Sequence, residues 1–273
     1  MAILAALVLF CILILNLAEK GDRFGPGLRP GKSRTSSFHS EIRESKTAGE
    51  SSGRAKIAII IDDLGPNLSD FHAIRGLHPN LSFAVLPFQS HSIQIAREAR
   101  MNGNHDLLLH LPLEANRKEE NPGSGAIYHS MGSDEIIRQV RRDLQAIPDI
   151  QGVNNHMGSR ITSDPAEMTI ILSEIKSKNL FFVDSRTAAS SVAFSLAEKL
   201  GIRSGKREVF LDDSASDADI QAEFRRLEEL ARRNGSAIAI GHPRPATIRA
   251  LKTFITGIDR ENLELVPVSE LLR

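Results

Sequence analysis

The chain has 273 residues, 41% hydrophobic and 25% charged, enough for one substantial α/β domain with a tail and somewhat little for two full domains. Lys plus Arg and Asp plus Glu both number 34, Trp is absent and Tyr occurs once, so the basic footprint and stacking aromatics of a nucleic-acid binder are missing. The single cysteine, Cys11, excludes an internal disulfide and a Cys-based zinc site.

Residues 2–17 are almost wholly apolar. They fall slightly short of the roughly 20 residues that usually span a bilayer, and segment 1–18 reads as a signal-peptide core or a short membrane anchor. Lys20 and Arg23 follow the run and no small-x-small cleavage site does, so an uncleaved anchor stays open. Residues 19–54 are rich in Gly, Ser, Arg, Lys and Glu. They bury too little to offset their ordering entropy and read as a flexible linker. This organisation predicts export: a periplasmic protein, or one anchored to the membrane and facing the periplasm.

The folded domain is expected over 55–273, where short apolar runs alternate with longer amphipathic ones. Strands are predicted at 56–61 (KIAIII), 81–86 (LSFAVL), 106–109 (DLLL), 152–155 (GVNN), 180–183 (LFFV), 209–211 (VFL), 236–240 (SAIAI) and 263–266 (LELV). Helices are predicted at 91–101, 134–146, 165–178, 192–200, 217–233 and 245–258, with Pro165 and Pro245 in first turns. Asp164 is a good N-cap for the first of these two; Arg244 is a poor one for the second. Seven to eight β-then-α units imply parallel strands with right-handed crossovers. The simplest architecture is a closed or nearly closed (β/α) barrel, with a doubly wound open sheet as the alternative.

Polar residues gather where the apolar runs stop. KIAIII is followed by Asp62 and Asp63, DLLL by His110 with Glu114 four residues on, GVNN by His156, LFFV by Asp184, VFL by Asp212 and Asp213, and SAIAI by Gly241 and His242. In parallel α/β folds, chemistry sits at the carboxyl ends of the strands. Aspartates, histidines and a glutamate drawn from different strands to one rim form a metal-hydrolase inventory. Each has a bland reading: an aspartate as helix cap or Asx-turn, His110 as a satisfied core histidine, Asp212–Asp213 as loop or cap chemistry. The histidines at 39, 72, 78, 91, 105 and 129 have no comparable placement and are read as structural.

On IIIDDLG (59–65), LSFAVLP (81–87), LLLHLPLE (107–114), GVNNHMGSR (152–160), FFVDSRT (181–187) and AIGHPRP (239–245), the chain resembles the divergent polysaccharide deacetylases, a branch of the NodB-like carbohydrate deacetylases. The resemblance implies a distorted (β/α) barrel and a divalent metal, usually zinc. By position it implies Asp62 as general base, Asp63 and His110 as metal ligands and His242 as general acid. Two departures stand out. Glu114 replaces the second histidine of His-x-x-x-His, and Asn154-Asn155-His156 replaces an arginine-bearing motif. His156 is preferred to Glu114 as third ligand, because two His and one Asp suit zinc with a position left for water. Asp184 is expected to orient His242. Glu114, Asn155, Arg160 and Arg186 are expected at the substrate or behind the ligands, and Arg244 near the same rim. The implied reaction is metal-dependent deacetylation of an N-acetylated envelope polysaccharide such as peptidoglycan. The alternative is a non-catalytic carbohydrate- or partner-binding protein on the same fold.

Overall fold

The computed structural model describes residues 53–101, 105–117 and 119–273. The expected leader or anchor, and nearly all of the linker, lie outside the described residues. No helix among those described is long and apolar enough to cross a membrane.

Among the described residues, nine strands form one sheet: β1 (Ala55–Leu64), β2 (Ser82–Val85), β3 (Leu107–Leu113), β4 (Gly152–Met157), β5 (Phe181–Asp184), β6 (Ser204–Lys206), β7 (Val209–Phe210), β8 (Ser236–Gly241) and β9 (Leu263–Leu265). Among the described residues, seven helices connect them: α1 (Leu68–Ile74), α2 (Ser92–Met101), α3 (Ser133–Ala146), α4 (Pro165–Ser177), α5 (Ala193–Lys199), α6 (Asp217–Asn234) and α7 (Pro245–Gly257). The strand order is β6-β5-β4-β3-β2-β1-β8-β7, with β9 beside the start of β1. Every pairing between the strands is parallel.

The two ends of that order, β6 and β7, are joined by Arg207 and Glu208 alone. Arg207 N–H donates to Asp184 O on β5 and Glu208 N–H to Ile238 O on β8, both at 2.9 Å. One bent segment thus closes the ring by covalent continuity, and the sheet is a distorted (β/α) barrel.

Burial on both faces explains the continuous apolar strands. Ile57, Ile59 and Ile61 face the helices, while Ala58 and Ile60 join Ala84, Leu108, Val183, Ile238 and Ile240 inside the barrel. Each fully buried isoleucine of β1 contributes roughly 1.5–3 kcal/mol. The C-terminal 3-10 turn, Val268–Leu271, plugs the end of the barrel where the strands begin. Ser82 Oγ accepts the Val268 N–H at 3.0 Å, and Asp106 accepts from the Ser269 N–H at 2.7 Å.

Two elements escape the sequence pattern. Helix α1 has seven residues, too few to show a period, and is started by Asn67 accepting the Ser69 N–H at 3.2 Å. Strand β6 reads SGK, with no apolar signature. Strands β1, β3 and β4 also run beyond their expected ends, so Asp62, Asp63, His110 and His156 lie within strands. The ladder bonds backbone groups, and a polar side chain on the last inward layer faces the cleft, so polarity does not end the strand.

Candidate active site

Strand parity assembles the site. Successive side chains alternate across a sheet, so the inward series Ala58, Ile60 continues to Asp62, Leu108 to His110, and Ile238, Ile240 to His242. Gly152 on β4 likewise leads to Asn154 and His156. A regular strand would turn Asp63 outward. Instead Ile61 pairs with Phe83 and Leu64 with Val85, so β1 takes three residues where β2 takes two. This bulge, with Asp63 at φ 57°, swings a second carboxylate to the same rim. A non-glycine residue in that region costs roughly 1–2 kcal/mol. Met157 (φ 51°) and Arg186 (φ 53°) share the feature and line the same cleft. Strain of this kind concentrates where a structure positions function.

Asp63, His110 and His156 offer ligand atoms that all lie within 4.8 Å of one another. Asp63 Oδ1 is 3.2 Å from His110 Nε2 and 2.9 Å from His156 Nδ1, and those two nitrogens are 3.1 Å apart. The hydrogen-bond chain behind them fixes what each atom carries. Asn154 Nδ2 donates to Asp62 Oδ1 at 2.8 Å. The Asn154 amide oxygen therefore faces His110 Nδ1 at 2.9 Å and must receive its proton. His110 Nε2 is left with a lone pair aimed at Asp63 Oδ1 and His156 Nδ1. Asp63 Oδ1 is buried and takes no well-directed hydrogen bond. Lone pairs converging this way need a shared proton or a cation, and two imidazoles with one carboxylate suit a divalent transition metal.

The same geometry sets how these groups hold protons. Burial disfavours charge on Asp63, but the close approach and charge of His110 and His156 hold its carboxyl far below the ordinary range. Burial likewise works against protonated His110, yet the Asp62 and Asp63 carboxylates raise it to about 9. A proton thus occupies this place when no cation does. Burial raises Asp62 above an ordinary carboxylate, against the lowering effect of His110, His242 and Asn154, making it a stronger base.

His242 is held from behind by Asp212. Its Nδ1–H donates to Asp212 Oδ1 at 2.9 Å, while Asp212 Oδ2 accepts the His242 N–H at 2.8 Å and the Thr247 hydroxyl at 2.7 Å. His242 Nε2 then faces the site, 3.5 Å from Asp63 Oδ2. Burial opposes charge on the ring, but Asp212 outweighs it and raises the imidazole above its ordinary value.

The other expected residues divide between the cleft lining and positions behind or outside it. Asp184 does not reach His242: it accepts from Ser191 Oγ at 2.7 Å and from the Phe194 and Arg186 N–H groups, tying the start of α5 to β5. Its odd parity, one residue past inward Val183, turns it toward the helices. Glu114 accepts the His129 N–H at 2.6 Å and sits 3.8 Å from Arg160, outside the triad. Asn155 braces β4 on the loop after β5, accepting the Ser185 N–H at 2.9 Å. Arg244 donates to Asp212 O at 2.6 Å. Arg186 and Asn155 both line the cleft. Asn154, not expected as a site residue, bridges Asp62 and His110, and Asp212, expected on the rim with loop or cap chemistry as its bland reading, backs His242; the inward parity of β4 marks the first, and the second carries only the apolar run before it, which Asp184 shares.

The cleft above these residues encloses about 800 Å³, within the roughly 300–1,000 Å³ of small-molecule sites. Its lining includes Arg186, Arg207 and Phe210. The Arg207 guanidinium donates to the Ser185 and Arg186 carbonyls at 2.6 and 2.8 Å and stacks over Phe210 at 4.7 Å.

Comparison with known proteins places this geometry in a family. The chain is 39% identical over 217 residues to the uncharacterized protein YibQ of Escherichia coli K12, an alignment covering 80% of this chain and 67% of that one. It is 38% identical over 223 residues to an uncharacterized Haemophilus influenzae protein, covering 81% and 78%. Among solved structures, an uncharacterized Agrobacterium tumefaciens C58 protein matches with a TM-score of 0.76 at 26% identity, over 80% of this chain and 89% of that one. A putative cellobiose-phosphate cleavage protein of Enterococcus faecalis V583 shares the fold, with a TM-score of 0.56 at 13% identity over 81% of this chain and all of that one. The model of the divergent polysaccharide deacetylases matches residues 59–272, which is nearly the whole folded domain. The chain belongs to the divergent polysaccharide deacetylase family.

Proposed function

We propose that the protein is a metal-dependent deacetylase of an N-acetylated envelope polysaccharide, peptidoglycan being the leading candidate. The observation that carries this reading is the convergence of Asp63, His110 and His156 as lone-pair donors, with Asp62 and Asp212-backed His242 each within 3.6 Å of a member of that group. Asp63, His110 and His156 would hold the ion, most simply zinc. Such an ion supplies Lewis acidity and lowers the pKa of water toward neutrality.

The protein's own groups supply the proton traffic. Asp62, raised by burial, accepts a proton from the water that attacks the acetamide carbonyl. Asn154 keeps one Asp62 oxygen engaged, leaving Oδ2 on the His110 side. His242, kept protonated by Asp212, gives its Nε2 proton to the departing amine as the carbon–nitrogen bond breaks. Acetate and a free amino sugar result. We further propose that the chain is exported and acts in the periplasm, held there or led there by its apolar N-terminal run.

The test is acetate release from N-acetylated glycan oligomers and peptidoglycan by the full chain, with and without added zinc. Zinc-dependent release that disappears in Asp62→Asn and His242→Ala is expected. A folded, zinc-loaded protein that releases none would overturn the reading and leave a binding protein on the deacetylase fold.

A further inference from the structure

Glu114 stands where the sequence pattern expects a metal-binding histidine, yet it serves a different group of residues. Its Oε2 accepts the His129 N–H at 2.6 Å. That bond holds the loop after β3 so that His129 Nδ1 lies 2.8 Å from Glu167 Oε1, on the first turn of α4. Asp164 adds a third ligand atom, and the three lie within 4.8 Å of one another.

The ordinary reading of Asp164 and Glu167 is a capping box, in which the N-cap side chain bonds the N3 backbone and the N3 glutamate reaches back to the N-cap N–H. Only half of that box forms. Asp164 Oδ1 accepts from the Ala166 and Glu167 N–H groups at 2.8 and 3.1 Å. The Asp164 N–H goes instead to Ile161 O, at 3.0 Å. Glu167 has turned away from the cap, toward His129. It is only 9% exposed, and its Oε2 is buried with no hydrogen-bond partner. A buried carboxylate oxygen left without a partner is costly, because it has given up water and gained nothing in return. Helix capping does not account for it, and one imidazole cannot satisfy both oxygens. Glu114 and Asp164 stand nearby as further carboxylates, with Arg160 paired to Glu114 only at 3.8 Å.

We propose that His129, Asp164 and Glu167 form a second site for a divalent transition-metal ion, separate from the Asp63–His110–His156 group. One imidazole nitrogen with two carboxylates favours zinc or manganese over calcium or magnesium, which prefer all-oxygen sets. The site joins the loop after β3 to the helix after β4. Those two strands carry His110 and His156, so the second ion braces the rim of the first centre. This role does not depend on the bond the protein cleaves.

Zinc stoichiometry of the full chain tests it, by stripping the protein with chelator, reloading with zinc, removing excess and measuring bound metal. The wild type should retain two equivalents. Asp63→Ala/His110→Ala should retain one and still be stabilised against heat by zinc. Adding His129→Ala and Glu167→Gln to that variant should abolish both the remaining equivalent and the thermal shift. His129→Ala alone alters a half-exposed side chain, so its fold should survive, and it should lose one equivalent from the wild type. A wild type with one equivalent that His129→Ala leaves in place would overturn the proposal. So would a second equivalent that persists after both ligand substitutions.

Discussion

Asp143, on α3, should be a pH-dependent burden on stability, and replacing it with asparagine should show how large. Its side chain is fully buried, with Oδ1 accepting from Gln139 Nε2 at 2.7 Å and Oδ2 without a partner. Burial raises its pKa from 3.8 to about 8, despite the Gln139 bond and the Arg142 charge. Between those values the unfolded chain has lost the proton and the native state keeps it. The stability associated with Asp143 is therefore complete below pH 3.8 and is lost as pH rises through about 8. At about 1.36 kcal/mol per pH unit, the loss amounts to about 2 kcal/mol at pH 5 and about 4 kcal/mol at pH 7. An asparagine occupies the same volume, presents a donor where the carboxylic acid presents one, and does not titrate. Asp143→Asn should therefore match the wild type near pH 3.8, exceed it modestly at pH 5 and exceed it by several kcal/mol at pH 7. Urea unfolding of both proteins at the three pH values measures this directly. Total stabilities are typically about 5–15 kcal/mol, so the effect is well above error. A difference that stays constant with pH, or an asparagine variant less stable at pH 7, would refute the reasoning.

Three further outcomes are expected. Gly152→Ala should destabilise by at least about 1–3 kcal/mol, read from chemical unfolding, because a Cβ there would fall 2.1 Å from the Phe181 ring in the barrel interior; a neutral result would mean that β4 and β5 can move apart. Binding of zinc to the first centre must displace the His110 proton, held up to about 9, so apparent affinity should fall about tenfold per pH unit below that value. Calorimetry in buffers of different ionisation enthalpy reports the released proton, and no release at pH 7 would contradict the assigned ligand. Asp212→Asn removes the charge that raises His242, so the alkaline limb of kcat/KM for acetate release should move to lower pH, with kcat down roughly 10²–10⁴-fold. An unmoved limb would remove His242 as the acid.

Much of this protein is set by local order in the chain. Apolar runs of strand length between amphipathic segments are enough to dictate parallel βα units buried on both faces. The same runs mark where each strand reaches the rim, and so point to Asp62, Asp63, His110, His156 and His242. What parity and partner choice decide is not local. Asp63 reaches the site because β1 bulges against β2, where the paired residues Ile61 and Phe83 are 22 apart in sequence and Leu64 and Val85 are 21 apart. Asp184 and Asp212 look alike in sequence, each following a short apolar strand. One faces the helices and the other meets His242 only because the chain crosses from β5 to β8 at Arg207 and Glu208. His129 carried no signal at all, since its partners Glu114 and Glu167 lie 15 residues before it and 38 after. Hydrophobic periodicity encodes which face of an element is buried; which polar groups meet across the barrel is fixed only when the strands close into a ring.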